Sequence, residues 1–293
     1  MSRQIECVTN ALCIVGESPL WREETRTLFM VDIHGRRIRS IDWDSGRVSD
    51  WVMQQQTGAL LLEESGGLLA CMEDGIYRVD HAGNTKALFA PLALAGPRFN
   101  DVKVGPNGCI YGGTIHYEGK GAFYAIDPHG RMRTLLTGVG NANGLDWDTQ
   151  RNLFYFVDTP TMCVFRFRFD PVSGNISQRE VVRKFSPEEG NPDGMTMDAQ
   201  GKLWVALWGG GHALRIDPDT GETLDEIRVP ASNVSCVAFA GTNLDEMVIT
   251  TAAHNTMLRK EPLAGSVFRI RVDVPGRPQW RFRAKEGEEK RIC

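Results

Sequence analysis

No stretch of this 293-residue chain approaches the roughly 18 to 20 consecutive apolar residues that a membrane-spanning helix needs. The N-terminal MSRQIECVTNALC also lacks the apolar centre of a secretory leader, so a cytoplasmic location is the expectation. An excess of positive charge is missing too. The 33 Lys and Arg stand against 37 Asp and Glu, a formal net charge of −4, whereas a phosphate-binding surface needs the opposite balance. Nucleic acid and membrane are therefore set aside as partners. The cysteines (Cys7, Cys13, Cys71, Cys109, Cys163, Cys236 and Cys293) include no CxxC pair, so neither a disulfide framework nor a zinc knot is expected. The histidines fall into no HExxH or comparable ligand spacing. Gly209-Gly210-Gly211 lacks the Lys-Ser/Thr of a phosphate loop and reads as a hairpin between Trp208 and His212. Gly16-Glu17-Ser18-Pro19-Leu20 misses the last glycine of a GxSxG nucleophile elbow, and Pro19 stands where the following helix would open.

Apolar mass is plentiful, at 42% of residues with 24% charged, which excludes disorder, collagen and coiled coil. It is distributed in short strand-like runs with no long amphipathic helical pattern. One unit recurs: an alternating run, then Asp, then a glycine-containing turn. The copies end at Asp42, Asp80, Asp127, Asp170 and Asp217, with a weaker sixth at Asp273 followed by Gly276. The intervals are 38, 47, 43, 47 and 56 residues. Each Asp falls where a strand gives way to a hairpin turn, and another strand-like run precedes each copy, as in Leu153 to Val157 or Leu203 to Ala206. A period of 40 to 50 residues made only of short strands predicts an all-β, six-bladed β-propeller with a central channel. Residues 1–283 are expected to form one such domain, closed by the segment Cys7 to Ile14 joining the last strands near Trp280. The charged stretch 284–293 is expected to be a frayed tail.

Aligning the innermost strands gives a second register, in which a polar residue stands four positions before an apolar one. The pairs are Glu17 and Trp21, Thr57 and Leu61, Asn100 and Val104, Asn143 and Trp147, Asp193 and Met197, and Ser235 and Phe239. In a propeller these polar side chains should converge on the axis. Two carboxylates and two amides there suit a hard divalent cation, or they bind channel water. Asp32 and Asp158, which end equivalent strands in two blades, are expected to stabilise turns.

The segments GESPLW (16–21), RFND (98–101), NGLDW (143–147) and NPDGMTMDAQGKLWVA (191–206) together resemble the motifs of the senescence-marker-protein, gluconolactonase and luciferin-regenerating-enzyme family, over residues 12 to 280. The resemblance implies a six-bladed propeller, in agreement with the repeat. It implies one divalent cation (Ca²⁺, Zn²⁺, Mn²⁺ or Mg²⁺) held by Glu17, Asn143 and Asp193. It further implies substrate contacts from Arg98, Asn100 and Glu118, within a loop GTIHYEGKG whose His116 and Tyr117 stand where substrate choice would differ. The implied activity is a metal-dependent lactone hydrolase of the carboxylic-ester class. It would open a small-molecule sugar lactone in carbohydrate metabolism, as a monomer or weak dimer. Asp193 would be the catalytic residue, taking the proton of the attacking water. Two alternatives remain at this stage: a non-catalytic cation-binding regulatory protein, and a hydrolase of a non-sugar lactone or ester.

Overall fold

Runs that alternate apolar and polar residues between turn formers fold as strands, because every second side chain then faces a neighbouring sheet. The computed structural model describes residues 4–10 and 12–285. Apart from two 3-10 turns, Glu23–Thr25 and Thr159–Thr161, the regular elements among these residues are all strands. They form six antiparallel four-stranded sheets, the six-bladed propeller that the repeat predicts. Blades 1 to 5 are each built from four strands consecutive in the chain, whereas blade 6 takes its outer strand from the N-terminus. The inner strands are Gly16–Arg22, Ala59–Leu62, Phe99–Val104, Ala142–Asp148, Asn191–Met197 and Val234–Ala240. The end of the channel at which they start is called the upper mouth below.

The apolar side chains are buried between blades, in six separate clusters. Trp204, Ala206 and Ala213 of blade 5 meet Phe239, Met247 and Phe268 of blade 6, for instance, and Trp21, Leu28 and Met30 of blade 1 meet Val248 and Val267 on the other side of blade 6. Each blade thus depends on two neighbours, so the ring must be closed for any of its faces to be dry.

The recurring Asp does the same work in five blades. Its carboxylate accepts from the N–H two or three residues on: Ser45 to Asp42 at 2.8 Å, Ala82 to Asp80 at 2.8 Å, His129 to Asp127 at 2.9 Å, Val172 to Asp170 at 2.9 Å and Asp219 to Asp217 at 3.0 Å. All five carboxyls are held below the usual range, led by the side chains of Ser45 at Asp42, Asn84 at Asp80, Ser173 at Asp170 and Lys202 at Asp217, and at Asp127 by Arg131 against the cost of burial, with these N–H groups adding to the effect. They tie the turn between the third and fourth strands of each blade.

The closure differs in one respect from the sequence reading. The N-terminal strand Glu6–Thr9 does complete blade 6, but it pairs with Val267–Arg271, Cys7 lying opposite Phe268, and not with residues near Trp280. Once β-pairing is supplied by the N-terminus, the chain beyond Arg271 has no fourth strand to make, and it crosses the lower end of the channel instead. There Arg277 donates to Asp146 Oδ1 at 3.2 Å and to the Trp147 carbonyl at 2.8 Å, and Trp280 meets the Trp147 ring edge-on at 5.6 Å. The fully buried Phe282 bridges to Glu63, its N–H donating to the Leu62 carbonyl at 2.8 Å. This segment floors a cavity of about 170 Å³ that Asp101, Lys103 and Cys236 also line. Of the stretch 284–293, Ala284 packs against the cluster between blades 2 and 3 and the Lys285 N–H donates to the Pro128 carbonyl; residues 286–293 lie outside the described residues.

No helix among the described residues is long and apolar enough to cross a membrane. Their cysteines are all free.

Candidate active site

Five of the six inner strands slip register near their upper ends: between Glu17 and Leu20, Phe99 and Val102, Ala142 and Leu145, Pro192 and Met195, and Val234 and Cys236. A bulge leaves one residue out of the ladder and re-aims its neighbours. Here each bulge falls on the polar register. Carboxylates at the end of the following strand brace the entry to two of these strands. Asp32 accepts the N–H groups of Ile14 and Val15, both at 3.0 Å, and Asp158 accepts those of Gly140 and Asn141 at 3.1 and 2.9 Å. They are turn-stabilising groups, in keeping with the sequence reading.

Glu17, Asn143, Asp193, Arg98 and Asn100 are all buried and are brought together at the upper mouth. A directed chain of hydrogen bonds orders them. Arg98 Nη1 donates to Asn100 Oδ1 at 2.6 Å and to the Phe99 carbonyl at 2.8 Å. Asn100 Nδ2 donates to Asn143 Oδ1 at 2.6 Å and to the Ala142 carbonyl at 2.8 Å. Asn143 Nδ2 donates to Thr159 Oγ1 at 2.6 Å, and that hydroxyl donates to the Pro192 carbonyl at 2.8 Å, one residue before Asp193. Because Asn143 gives its N–H to Thr159, its amide oxygen faces the cluster, and three blades are locked to one another. Thr159 escaped the sequence reading; the only signal for it is its place in the Thr159–Thr161 turn directly after Asp158.

The site is dominated by negative charge. Burial, followed by Asp101, pushes the Glu17 carboxyl well above its ordinary range. Burial, then Glu17 and Asp101, do the same to Asp193. Burial pushes Asp101 up to about 6, against the opposing pull of Lys103 and Arg98. Arg98 is the cation common to all three carboxylates, and burial lowers its own pKa against the field of Tyr117 and the acids. Asp101 was missed by the polar register, which counts one residue per blade; the bulge brings the next one in as well. In blades 1, 3 and 6 that next residue is Ser18, Asp101 or Cys236, and in blades 2, 4 and 5 it is Gly58, Gly144 or Gly194.

The glycines are required by the crowding. A Cβ on Gly144 would lie 2.3 Å from Met195 Cβ, 2.5 Å from Met195 N and 2.8 Å from the Asp193 carbonyl oxygen, and one on Gly194 would lie 2.3 Å from Cys236 Sγ. Gly144→Ala must therefore displace the strand that carries Asp193. Calorimetric titration with Ca²⁺ or Mn²⁺ is expected to show affinity reduced about 10–100-fold, as when the support of a metal ligand is removed; wild-type affinity would show that the inner strand yields elsewhere.

Other members of the polar register behave differently. The Thr57 hydroxyl is buried with no hydrogen-bond partner among the described residues. The Ser235 hydroxyl donates to the Gly16 carbonyl at 2.5 Å and meets Thr250 Oγ1 at 2.9 Å, which ties blade 6 to blade 1 and turns it from the axis. Glu118 stands on the rim, exposed and ion-paired with Lys120, its N–H donating to His116 Nδ1 at 3.3 Å. The structure does not bring it to the cluster. Its neighbour Tyr117 is exposed, and its phenol is within electrostatic reach of Arg98.

Among the described residues no three His, Cys, Asp or Glu side chains form a ready-made metal cluster. The candidate set of Glu17, Asn143 and Asp193 contains two carboxylates and one amide. That set fits a hard cation: both acids are buried and pushed up, Asp193 in part by Glu17, and a divalent ion among oxygen donors is the ordinary counterweight to such a pair.

Fold and site together define a six-bladed β-propeller with a buried acid and amide cluster at one mouth of its channel. The chain belongs to the family described as SMP-30/Gluconolactonase/LRE-like region, whose model matches residues 15–253. It is 36% identical to YvrE of Bacillus subtilis (strain 168), named as a candidate sugar lactone lactonase, over 94% of this chain and 97% of that one. Human regucalcin is 33% identical over 92% of this chain and 94% of its own length. Among solved structures, a luciferin-regenerating enzyme superposes with a TM-score of 0.87 at 24% identity, covering 96% of this chain and 99% of that one, a likeness of fold.

Proposed function

We propose that this protein is a divalent-metal-dependent hydrolase that opens a sugar lactone to its aldonic acid. The family and the name of the Bacillus relative support a sugar lactonase. The observation that carries the reading is the meeting of Glu17, Asn143 and Asp193 with the Arg98 and Asn100 pair in a single mouth. Purely ion-binding work gives no reason for a buried guanidinium within the field of the acids.

A cation bound by Glu17, Asn143 and Asp193 would polarise the lactone carbonyl as a Lewis acid. Asp193 takes a proton from the water whose oxygen attacks the carbonyl carbon, and the proton is returned to the ring oxygen as the carbon–oxygen bond breaks. Arg98, immobilised by Asn100 and the Phe99 carbonyl, offers a planar set of donors in fixed orientation to the ring substituents. Asn100 keeps the Asn143 amide turned into the site. Burial excludes bulk water, which strengthens each of these interactions.

The test is acid release from glucono-, galactono-, xylono- and arabinono-lactones by chelator-stripped protein restored with one divalent ion at a time. The expected result is acceleration of at least about 10²-fold over the spontaneous reaction with one ion and one lactone. If an ion binds while every lactone stays at the spontaneous rate, the hydrolase reading fails and an ion-binding role replaces it.

A further inference from the structure

The upper mouth carries a second group of side chains that the proposed chemistry does not use. His34, in the loop after the second strand of blade 1, meets the His254 ring edge-on at 5.2 Å, and His254 lies 6.5 Å from the Trp208 indole. The three come from blades 1, 6 and 5. His254 is fixed by its backbone: its N–H donates to the Ile14 carbonyl at 3.0 Å and its carbonyl accepts from Asn233 Nδ2 at 2.9 Å. Trp208 pairs with Asn233 across the same gap. A recess of about 260 Å³ opens beside Trp208 and His254, lined also by Asn233, Thr256, Lys260 and Glu261. All three stand at the upper mouth: Trp208 pairs with Asn191, two residues before Asp193, and His34 follows Asp32, which pairs with Gly16 next to Glu17.

We infer that His34, His254 and Trp208 form a distal substrate subsite, which takes the hydroxylated side chain of a sugar lactone while Arg98 and Asn100 hold its ring. The inference rests on the lactonase reading above and deepens it by naming the part of the substrate that decides specificity. Its chemistry is suited to a polyol. Each neutral imidazole offers one donor and one acceptor, which matches a hydroxyl, and the indole offers a flat apolar face to the carbon chain. None of the three is paired with a carboxylate among the described residues, so their polar atoms are available to a ligand. The recess beside Trp208 and His254 gives room for exocyclic carbons. The subsite therefore favours lactones with an extended hydroxylated chain over bare rings.

The experiment compares glucono-δ-lactone, which carries ring and exocyclic hydroxyls, with δ-valerolactone, the same ring without them. The proteins are the wild type, His34→Ala, His254→Ala and Trp208→Leu, each with the preferred ion and each checked by thermal melting. The subsite predicts that the ratio of kcat/KM for gluconolactone to that for valerolactone falls about tenfold or more in each variant, chiefly through KM, because a hydrogen-bonding site loses discrimination when its partner is removed. Equal losses on both lactones, or a ratio that does not move, would overturn the subsite and leave the lactonase reading standing. Where another aldonolactone of the panel above is preferred, it takes the place of gluconolactone; a wild type inert toward every one of them overturns the lactonase reading, and the subsite falls with it.

Discussion

Asp193→Asn is expected to lower kcat/KM on the preferred lactone by about 10³-fold or more while raising the melting temperature of the chelator-stripped protein. The first effect combines the loss of a general base, typically worth 10²–10⁴-fold, with the loss of one of two carboxylates available to a cation. Asn keeps the shape, so the change reports charge and basicity. The second effect follows from the electrostatics of the mouth. Glu17, Asp101 and Asp193 are buried together, and after burial itself the first two raise the cost of charge on Asp193. Removing one of the three charges relieves that repulsion when no ion is present, a stability gain of the kind functional sites commonly give up. Activity assays and melting curves in chelator, on the same preparation, read both. Wild-type turnover with a bound ion would remove Asp193 from the role of base, and an unchanged or lowered melting temperature would show that its charge is already balanced in the folded chain.

The members of this cluster were legible in the sequence for a physical reason. One position per repeat, four residues before an inner apolar side chain, falls at the upper end of the inner strand in every blade, so Glu17, Asn100, Asn143 and Asp193 could be found by counting. Asp101 and Cys236 could not, because strict alternation puts the residue after each register position on the opposite face, and only a bulge turns two successive residues toward the channel. The alternation of Gly58, Gly144 and Gly194 with Ser18, Asp101 and Cys236 was the available trace of that crowding. Thr159, His34 and His254 sit in turns and loops between strands, and Trp208 at the very end of one. Loops from blades far apart in the chain meet over the mouth, and nothing in their local sequence announces which ones do.

The fold was legible from its turns, and the one misplacement follows from the same feature. An Asp with a following Gly marks the third-to-fourth strand turn in five blades, where backbone N–H groups close on its carboxylate. The sixth copy at Asp273 is weak because no such turn exists there. The outer strand of blade 6 is Glu6–Thr9, held also by Arg269 Nε donating to Glu6 at 2.9 Å, and the residues after Arg271 are released to floor the channel. Composition around Trp280 reads as strand; its actual use is to pack against the inner strand from below.

That packing makes Trp147 the side chain on which the lower half of the channel depends, and Trp147→Ala is expected to destabilise the protein by about 3–5 kcal/mol, the range for removing a buried large aromatic. Its indole is fully buried and touches Tyr111 and Phe154, both at 5.2 Å, Phe169 at 6.1 Å and Trp280 at 5.6 Å. The first three belong to blades 3 and 4, the fourth to the floor segment, so one truncation opens an interblade face and unseats the plug together. The rigid neighbours on strands cannot collapse into the gap, which places the cost toward the upper part of that range. Urea unfolding is the measurement: a shifted midpoint at constant slope gives the cost directly, whereas a reduced slope would show the floor segment already detached in the folded variant. Asn143 lies four residues earlier on the same strand, Ala142–Asp148. A cation that binds Asn143 only in the ordered strand should therefore recover part of the lost stability, rising with the logarithm of its concentration above Kd, and failure of added ion to move the midpoint would separate the upper mouth energetically from the floor.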